Sequence, residues 1–293
     1  MFFIANHPIY NHPLPEGHRF PMLKYELLPK QLLHEGTAEC TDFYSPDSID
    51  LSLVHAVHTV SYVKALTELT LDAKAVRSIG FPLSAALVER ELRIAQGTVV
   101  GCNHALENGI AFNIAGGTHH AFSDRGEAFC LLNDQAIAAQ YLINQKKCHK
   151  ILIVDLDVHQ GNGTAEIFQN NADVITFSMH GQSNYPFRKE TSDYDIALPD
   201  KTDDTTYLSI LQETLPELLN IHRPDFVFYL AGVDILGTDK LGKLGCTLEG
   251  CKTRDSYVLG LCKSLGIPVQ VSMGGGYSPA IKTIIEAHAN TYR

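Results

Sequence analysis

Residues 151–163 read ILIVDLDVHQGNG. Four apolar residues lead into Asp155, Asp157 and His159, then into Gly161 and Gly163. A run this continuous has no wet face, so it reads as a parallel strand covered on both sides. Comparable runs recur at 110–114, 173–179, 226–231 and 267–273. Between them, helical spacing appears at 83–105, 135–147, 204–222 and 248–265, with Asp134 placed to cap the second of these. Strands alternating with helices predict an α/β protein with one mostly parallel, doubly covered sheet. In such sheets ligands bind beyond the carboxyl ends of the strands. The runs agree with that rule. They end at Asp157 and His159, at His180, at Asp234 in YLAGVD, at GGGY (274–277) and at GGTHH (116–120).

Composition bounds the rest. The chain has 293 residues, is 45% hydrophobic and carries a net charge of −10. It shows no repeat, low-complexity stretch or linker, so a single domain over 1–293 is expected. The acidic balance argues against nucleic acid as a partner. No apolar run approaches the roughly 18 residues of a membrane span, and MFFIANHPIY lacks the basic and apolar regions of a secretory signal. Seven scattered cysteines without a CxxC pair read as reduced thiols. A cytoplasmic location is therefore expected.

Asp157 and His159 are two residues apart, so in extended chain they point the same way. With Asp234 as the best third ligand, two carboxylates and one imidazole suit a catalytic divalent metal with a position left open. The competing reading is a turn that only caps the next helix. Adjacent histidines on a strand would face opposite ways, but after Gly116 and Gly117 both His119 and His120 can face one cavity. Acid–base catalysis is their expected work. Gly274, Gly275 and Gly276 let backbone pass close to a neighbour. Tyr277 then brings a phenol able to donate to an oxyanion, unless it is simply packed.

Six segments occur in order: GGTHHAF, GEAFCLLND, VDLDVHQGNGTAEIF, FSMHGQSNYPF, YLAGVDILGTDKLG and SMGGGYSP. In these the chain resembles the zinc-dependent histone deacetylase family over about residues 5–290. DVHQGNG, with IGFP at 79–82, is most similar to the class IV branch and its bacterial relatives. The resemblance implies a three-layer α/β/α arginase–deacetylase fold. It implies one zinc held by Asp157, His159 and Asp234, with ferrous iron satisfying the same ligands. His119 and His120 would move protons, with Asp155 and Asn162 as their partners, and Tyr277 would hold the oxyanion. Phe129 would line an acyl-lysine channel beside Gly275, with Tyr185 or Phe187 opposite. A structural potassium would sit near Asp155 and Ser178 and take backbone oxygens of Asp157, His159 and Met179.

Where the arginase branch carries carboxylates for a second metal, this chain has Gly161 and Leu236, so one metal is expected. Where class I members pair the second histidine with aspartate, it has Asn162, which leaves open which histidine is the main base. No counterpart to the class I aspartate that grips the substrate backbone appears in 79–85. The implied reaction is hydrolysis of an N-acyl amide by metal-activated water. The implied partners are an acylated lysine in a peptide or protein, or an acylated small amine such as an acetylpolyamine. A non-catalytic acyl-binding metalloprotein is the rival from another class. The oligomeric state is not legible.

Overall fold

The structure is a computed structural model that describes residues 2–293. Its strands are β1 (Ile4–Ala5), β2 (Phe43–Tyr44), β3 (Ile110–Asn113), β4 (Ile151–Asp155), β5 (Val174–Gly181), β6 (Tyr194–Leu198), β7 (Phe226–Leu230) and β8 (Val269–Ser272). They form one sheet in the order β2-β1-β3-β8-β7-β4-β5-β6, and every ladder is parallel. The helices are α1 (Lys24–Glu35), α2 (Leu51–Val54), α3 (Val60–Thr67), α4 (Ala73–Ile79), α5 (Ala85–Asn108), α6 (Asp134–Asn144), α7 (Asn162–Phe168), α8 (Asp204–His222), α9 (Leu248–Leu265) and α10 (Ile281–Tyr292). They flank the sheet, as the alternation of runs implies, and none is long and apolar enough to cross a membrane.

The central strands are legible because both of their faces are covered. Every residue of β4, β5, β7 and β8 is buried. Register then aligns their ends. Asn113 pairs with Ser272, Ser272 with Leu230, Leu230 with Asp155, and Asp155 with Ser178. The loops after β3, β8, β7 and β4 therefore leave the sheet side by side at one level.

Local chemistry sets the helix ends. Ser84 caps α5 through Leu87 N at 3.1 Å. Asp203 and Thr247 cap α8 and α9, and Gly266 closes α9 with φ 67°. The cap of α6 differs from expectation. Asn133 has the extended backbone of a cap and accepts from Ala136 N, whereas Asp134 is the first helical residue. Its carboxylate is drawn instead to Thr118 N at 3.0 Å and the Thr98 hydroxyl at 2.7 Å. This explains Gly116, whose φ is 81° and where a Cβ would meet Asp134 Cγ at 3.0 Å. The helix also stops at Asn144, short of the expected 147, because Lys146 turns to φ 55°. Similarly, β5 runs through His180 to Gly181, so His180 lies inside the strand rather than beyond it. All seven cysteines are free, and only Cys40 is exposed.

Candidate active site

Four adjacent strands supply the site. The loop after β3 brings His119 and His120, the loop after β4 brings Asp157 and His159, the loop after β7 brings Asp234, and the loop after β8 brings Gly275 and Tyr277. One ligand atom from each of Asp157, His159 and Asp234 lies within 4.8 Å of the others, and all three residues are buried.

The backbone holds the carboxylates in place. Asp157 Oδ2 accepts from Gly275 N at 2.9 Å, and its Oδ1 accepts from His159 N at 3.0 Å. Asp234 Oδ1 accepts from Val158 N at 3.0 Å. Asp234 Oδ2 has no hydrogen-bond partner. His159 Nδ1 is 3.2 Å from it but makes its hydrogen bond to Asp157 Oδ1 at 2.9 Å. A buried, unpaired carboxylate oxygen costs several kcal/mol unless a cation or proton meets it. Burial alone would push the His159 ring down, but the hydrogen bond to Asp157 and the close Asp234 carboxylate outweigh burial and raise it to about 10. Burial and then the Asp157 charge push Asp234 up to about 7. These groups together attract positive charge, and their donor set fits one divalent cation. Gly275 completes the cradle: a Cβ there would lie 2.7 Å from Asp157 Oδ2 and closer still to Asp234 Oδ2.

The histidine pair differs in its partners. His119 Nδ1 meets Asp155 Oδ2 at 2.7 Å, and His120 Nδ1 meets Asn162 Oδ1 at 2.6 Å. Burial opposes charge on both rings. For His119, the Asp155 charge and hydrogen bond outweigh burial and raise the pKa. For His120, burial and the neighbouring rings hold it well below the ordinary value. A neutral amide cannot reverse that. Asp155 is thus not aimed at the ligand cluster, although it is spaced by two from Asp157. β4 ends at Asp155, and the chain beyond it is no longer extended.

The Tyr277 ring is 6.2 Å from that of Phe129 and 6.5 Å from that of His159. Its backbone N donates to Asp239 at 2.6 Å. Burial and then the charges of Asp234 and Asp157 keep its phenol protonated. Tyr185 stacks edge-on against His120 at 5.0 Å, donates to Glu127 at 2.6 Å and lines the same cavity as Phe129. Phe187 is 90% exposed and lies only at the rim. Asp155 and Ser178 are register partners; the Ser178 hydroxyl is engaged with His180 Nδ1 at 3.0 Å. Met179 is buried within β5.

Two residues carried no signal in the sequence. Arg254, fully buried on α9, donates to Leu156 O at 3.1 Å and Gly232 O at 2.6 Å, tying together the loops of Asp157 and Asp234. Its charge is met by Asp255 at 2.8 Å, which also accepts from Tyr229 and Thr291. Lys24, buried on α1, donates to Gly274 O at 2.9 Å. Burial lowers it to about 8 against the charges of Asp234 and Asp157. Periodicity marks neither residue, because a charge on a buried helix face looks like a break in the pattern.

A parallel α/β sheet with a carboxylate–imidazole cluster at its carboxyl edge defines an enzyme of the type that seats its chemistry at strand ends. The histone deacetylase domain profile matches residues 18–292. The chain belongs to the histone deacetylase family, whose reaction is hydrolytic. An uncharacterised protein of Picosynechococcus sp. is 46% identical over 292 residues, covering 100% of this chain and 97% of its own. Histone deacetylase 2 of Arabidopsis thaliana is 28% identical over 279 residues, covering 92% and 72%. Two solved structures share the fold. The HDA15 HD domain has a TM-score of 0.84 at 22% identity, covering 99% of this chain and 86% of that one. An HDAC homolog complexed with SAHA has 0.86 at 22% identity, covering 99% and 82%.

Proposed function

We propose that the protein is a metal-dependent hydrolase that removes acyl groups from lysine side chains or related amines. The observation that carries this reading is the convergence of Asp157, His159 and Asp234, with Asp234 Oδ2 left unpaired. These three residues would hold one zinc or ferrous ion. A second ion lacks ligands, since Gly161 and Leu236 stand at the arginase-type positions and Gly161 is packed against Asp155 and His119. When bound, the cation polarises the acyl carbonyl and acidifies water.

The protein groups do the remaining work. His120 is neutral, and Asn162 accepts from its Nδ1, so Nε2 is free to take the proton of the attacking water and return it to the leaving amine. His119, paired with Asp155, supplies positive charge beside the developing oxyanion. The Tyr277 hydroxyl donates to that oxygen. Phe129 and Tyr185 wall the stem of the substrate from water. A narrow cavity of about 40 Å³ runs from His120, His159 and Tyr277 inward to Tyr25, Arg90 and Ile94. A potassium ion near Asp155 and Ser178 is supported by the carbonyl oxygens of Asp157 and His159, which accept no hydrogen bond among the described residues.

The test is acyl release by metal-reconstituted protein from acyl-lysine peptides of increasing chain length and from acetylspermidine. Turnover that a chelator abolishes and added metal restores is expected. Metal-loaded protein that releases nothing from the whole panel would overturn the reading.

A further inference from the structure

The channel opens outward into a vestibule of about 350 Å³. It runs from His120, His159 and Tyr277 past Phe129 to a rim that includes Arg19, Lys243 and Phe187. The chain holds 33 acidic residues against 23 basic ones, yet among the described residues no carboxylate lines this vestibule. The charges facing it are both positive. Arg19 is exposed, its guanidinium lies 5.0 Å from the centre of the Phe129 ring, and it makes no ion pair among the described residues. Lys243 reaches only Ser183, at its carbonyl (3.0 Å) and hydroxyl (3.2 Å).

Nearby carboxylates are already engaged. Glu127 accepts from Tyr185 at 2.6 Å and pairs with Arg125 at 3.1 Å. Asp239 accepts from Tyr277 N, Leu241 N and Gly242 N at 2.6, 2.8 and 2.9 Å. Asp200 is bonded by Ser183. Neither cation is in a direct ion pair among the described residues; the nearest carboxylate to Lys243 that the hydrogen bonds show is Asp200, reached through the shared Ser183 hydroxyl.

We propose that Arg19 and Lys243 form an anion subsite at the channel mouth, selecting acylated amines that carry a carboxylate beyond the methylene stem. This rests on reading the site as a deacylase. Two sources share the chemistry: an acyl-lysine flanked by acidic residues in a peptide, and free Nε-acyl-lysine, whose own α-carboxylate would sit at the rim. A polyamine tail has the opposite charge. It would meet two cations and no carboxylate, so acetylpolyamines are selected against. A cleft lined by one sign of charge concentrates ligands of the other sign, and rim charges act chiefly on encounter rate and salt dependence.

The experiment measures both binding and turnover by metal-loaded protein at low salt. Acetyl-lysine peptides with aspartate, glutamine or lysine flanks are compared, together with free Nε-acetyl-lysine, its carboxamide and acetylspermidine. Aspartate-flanked peptide should bind about five- to tenfold tighter than the neutral one, with the lysine-flanked peptide weakest. The spread should collapse at about 0.5 M salt, where screening shortens to a few ångströms. Arg19→Glu with Lys243→Glu should invert the order. Preference for free acetyl-lysine over its carboxamide, without a flank effect in peptides, assigns the small-molecule source. Equal binding by all three peptides with no carboxamide effect, or tightest binding of the lysine-flanked peptide or acetylspermidine, overturns the subsite. Charge-ordered binding without turnover leaves the subsite standing and removes the deacylase reading instead.

Discussion

Gly275→Ala tests the metal centre through space rather than charge. The added Cβ would lie 2.7 Å from Asp157 Oδ2, and real Cβ atoms essentially never approach within 3.0 Å. Both carboxylates must retreat, Asp157 by about 0.3 Å and Asp234 by more, whereas a workable metal site holds its ligand distances to about ±0.2 Å. The backbone itself has no objection, because Gly275 is not among the positive-φ glycines. The fold should survive while the cradle does not. Substitutions that merely support ligands cost about 10- to 100-fold in metal affinity. Direct displacement of two ligands should reach at least the upper figure, about 2.7 kcal/mol. Zinc affinity by competition with a chelating dye measures it, with thermal unfolding of the metal-free protein as control. Wild-type affinity in a folded Gly275→Ala protein would refute the placement of the cation between Asp157 and Asp234.

Tyr277→Phe should slow kcat about 100- to 1000-fold, because one oxyanion donor is lost, while zinc content by elemental analysis stays at the wild-type level. Arg254→Met strands Asp255 in the core and should cost about 3–5 kcal/mol in urea unfolding. Adding Asp255→Leu should recover much of that stability but not the metal affinity, since Leu156 O and Gly232 O remain untied; recovery of both would show that Arg254 serves packing alone. His58 supplies a pH signature. Burial pushes its ring from 6.5 down to about 4, and the neutral ring bonds Phe122 O and Asn133 N at 2.8 and 3.0 Å. The unfolded chain takes up the proton first, so stability is complete above the unfolded pKa and falls as pH drops from about 6.5 towards 4, by up to about 3 kcal/mol. His58→Leu should flatten that part of the profile in urea melts, and an unchanged slope would exclude His58 as its source.

Much of this was legible in the sequence for a physical reason. The strands β3, β4, β5, β7 and β8 are buried on both faces, so their residues had to form unbroken apolar runs. The site residues had to stand at the ends of those runs. The edges were silent. β1 and β2 are two residues each, too short for any period, and β6 alternates half-buried and exposed positions around Asp195. The partnership of Asp155 with His119 came from the family resemblance rather than from spacing. The Asp155 carboxylate serves His119 because the chain leaves the extended state directly after it. Arg254 and Lys24 could not be found at all, since their importance lies in carbonyl oxygens of distant loops.

The contacts that close the site are remote along the chain. Gly275 and Asp157 are 118 residues apart, Val158 and Asp234 are 76, and Lys24 and Gly274 are 250. No excised fragment would retain the pocket, so a cation at this cluster would recognise only the finished sheet. Mass action then ties the protein's persistence to ion supply. At a free concentration 100 times the dissociation constant, occupancy adds about 2.7 kcal/mol to the native state. If the proposed cation is bound, starving a cell of it would deplete the folded population as well as silence it.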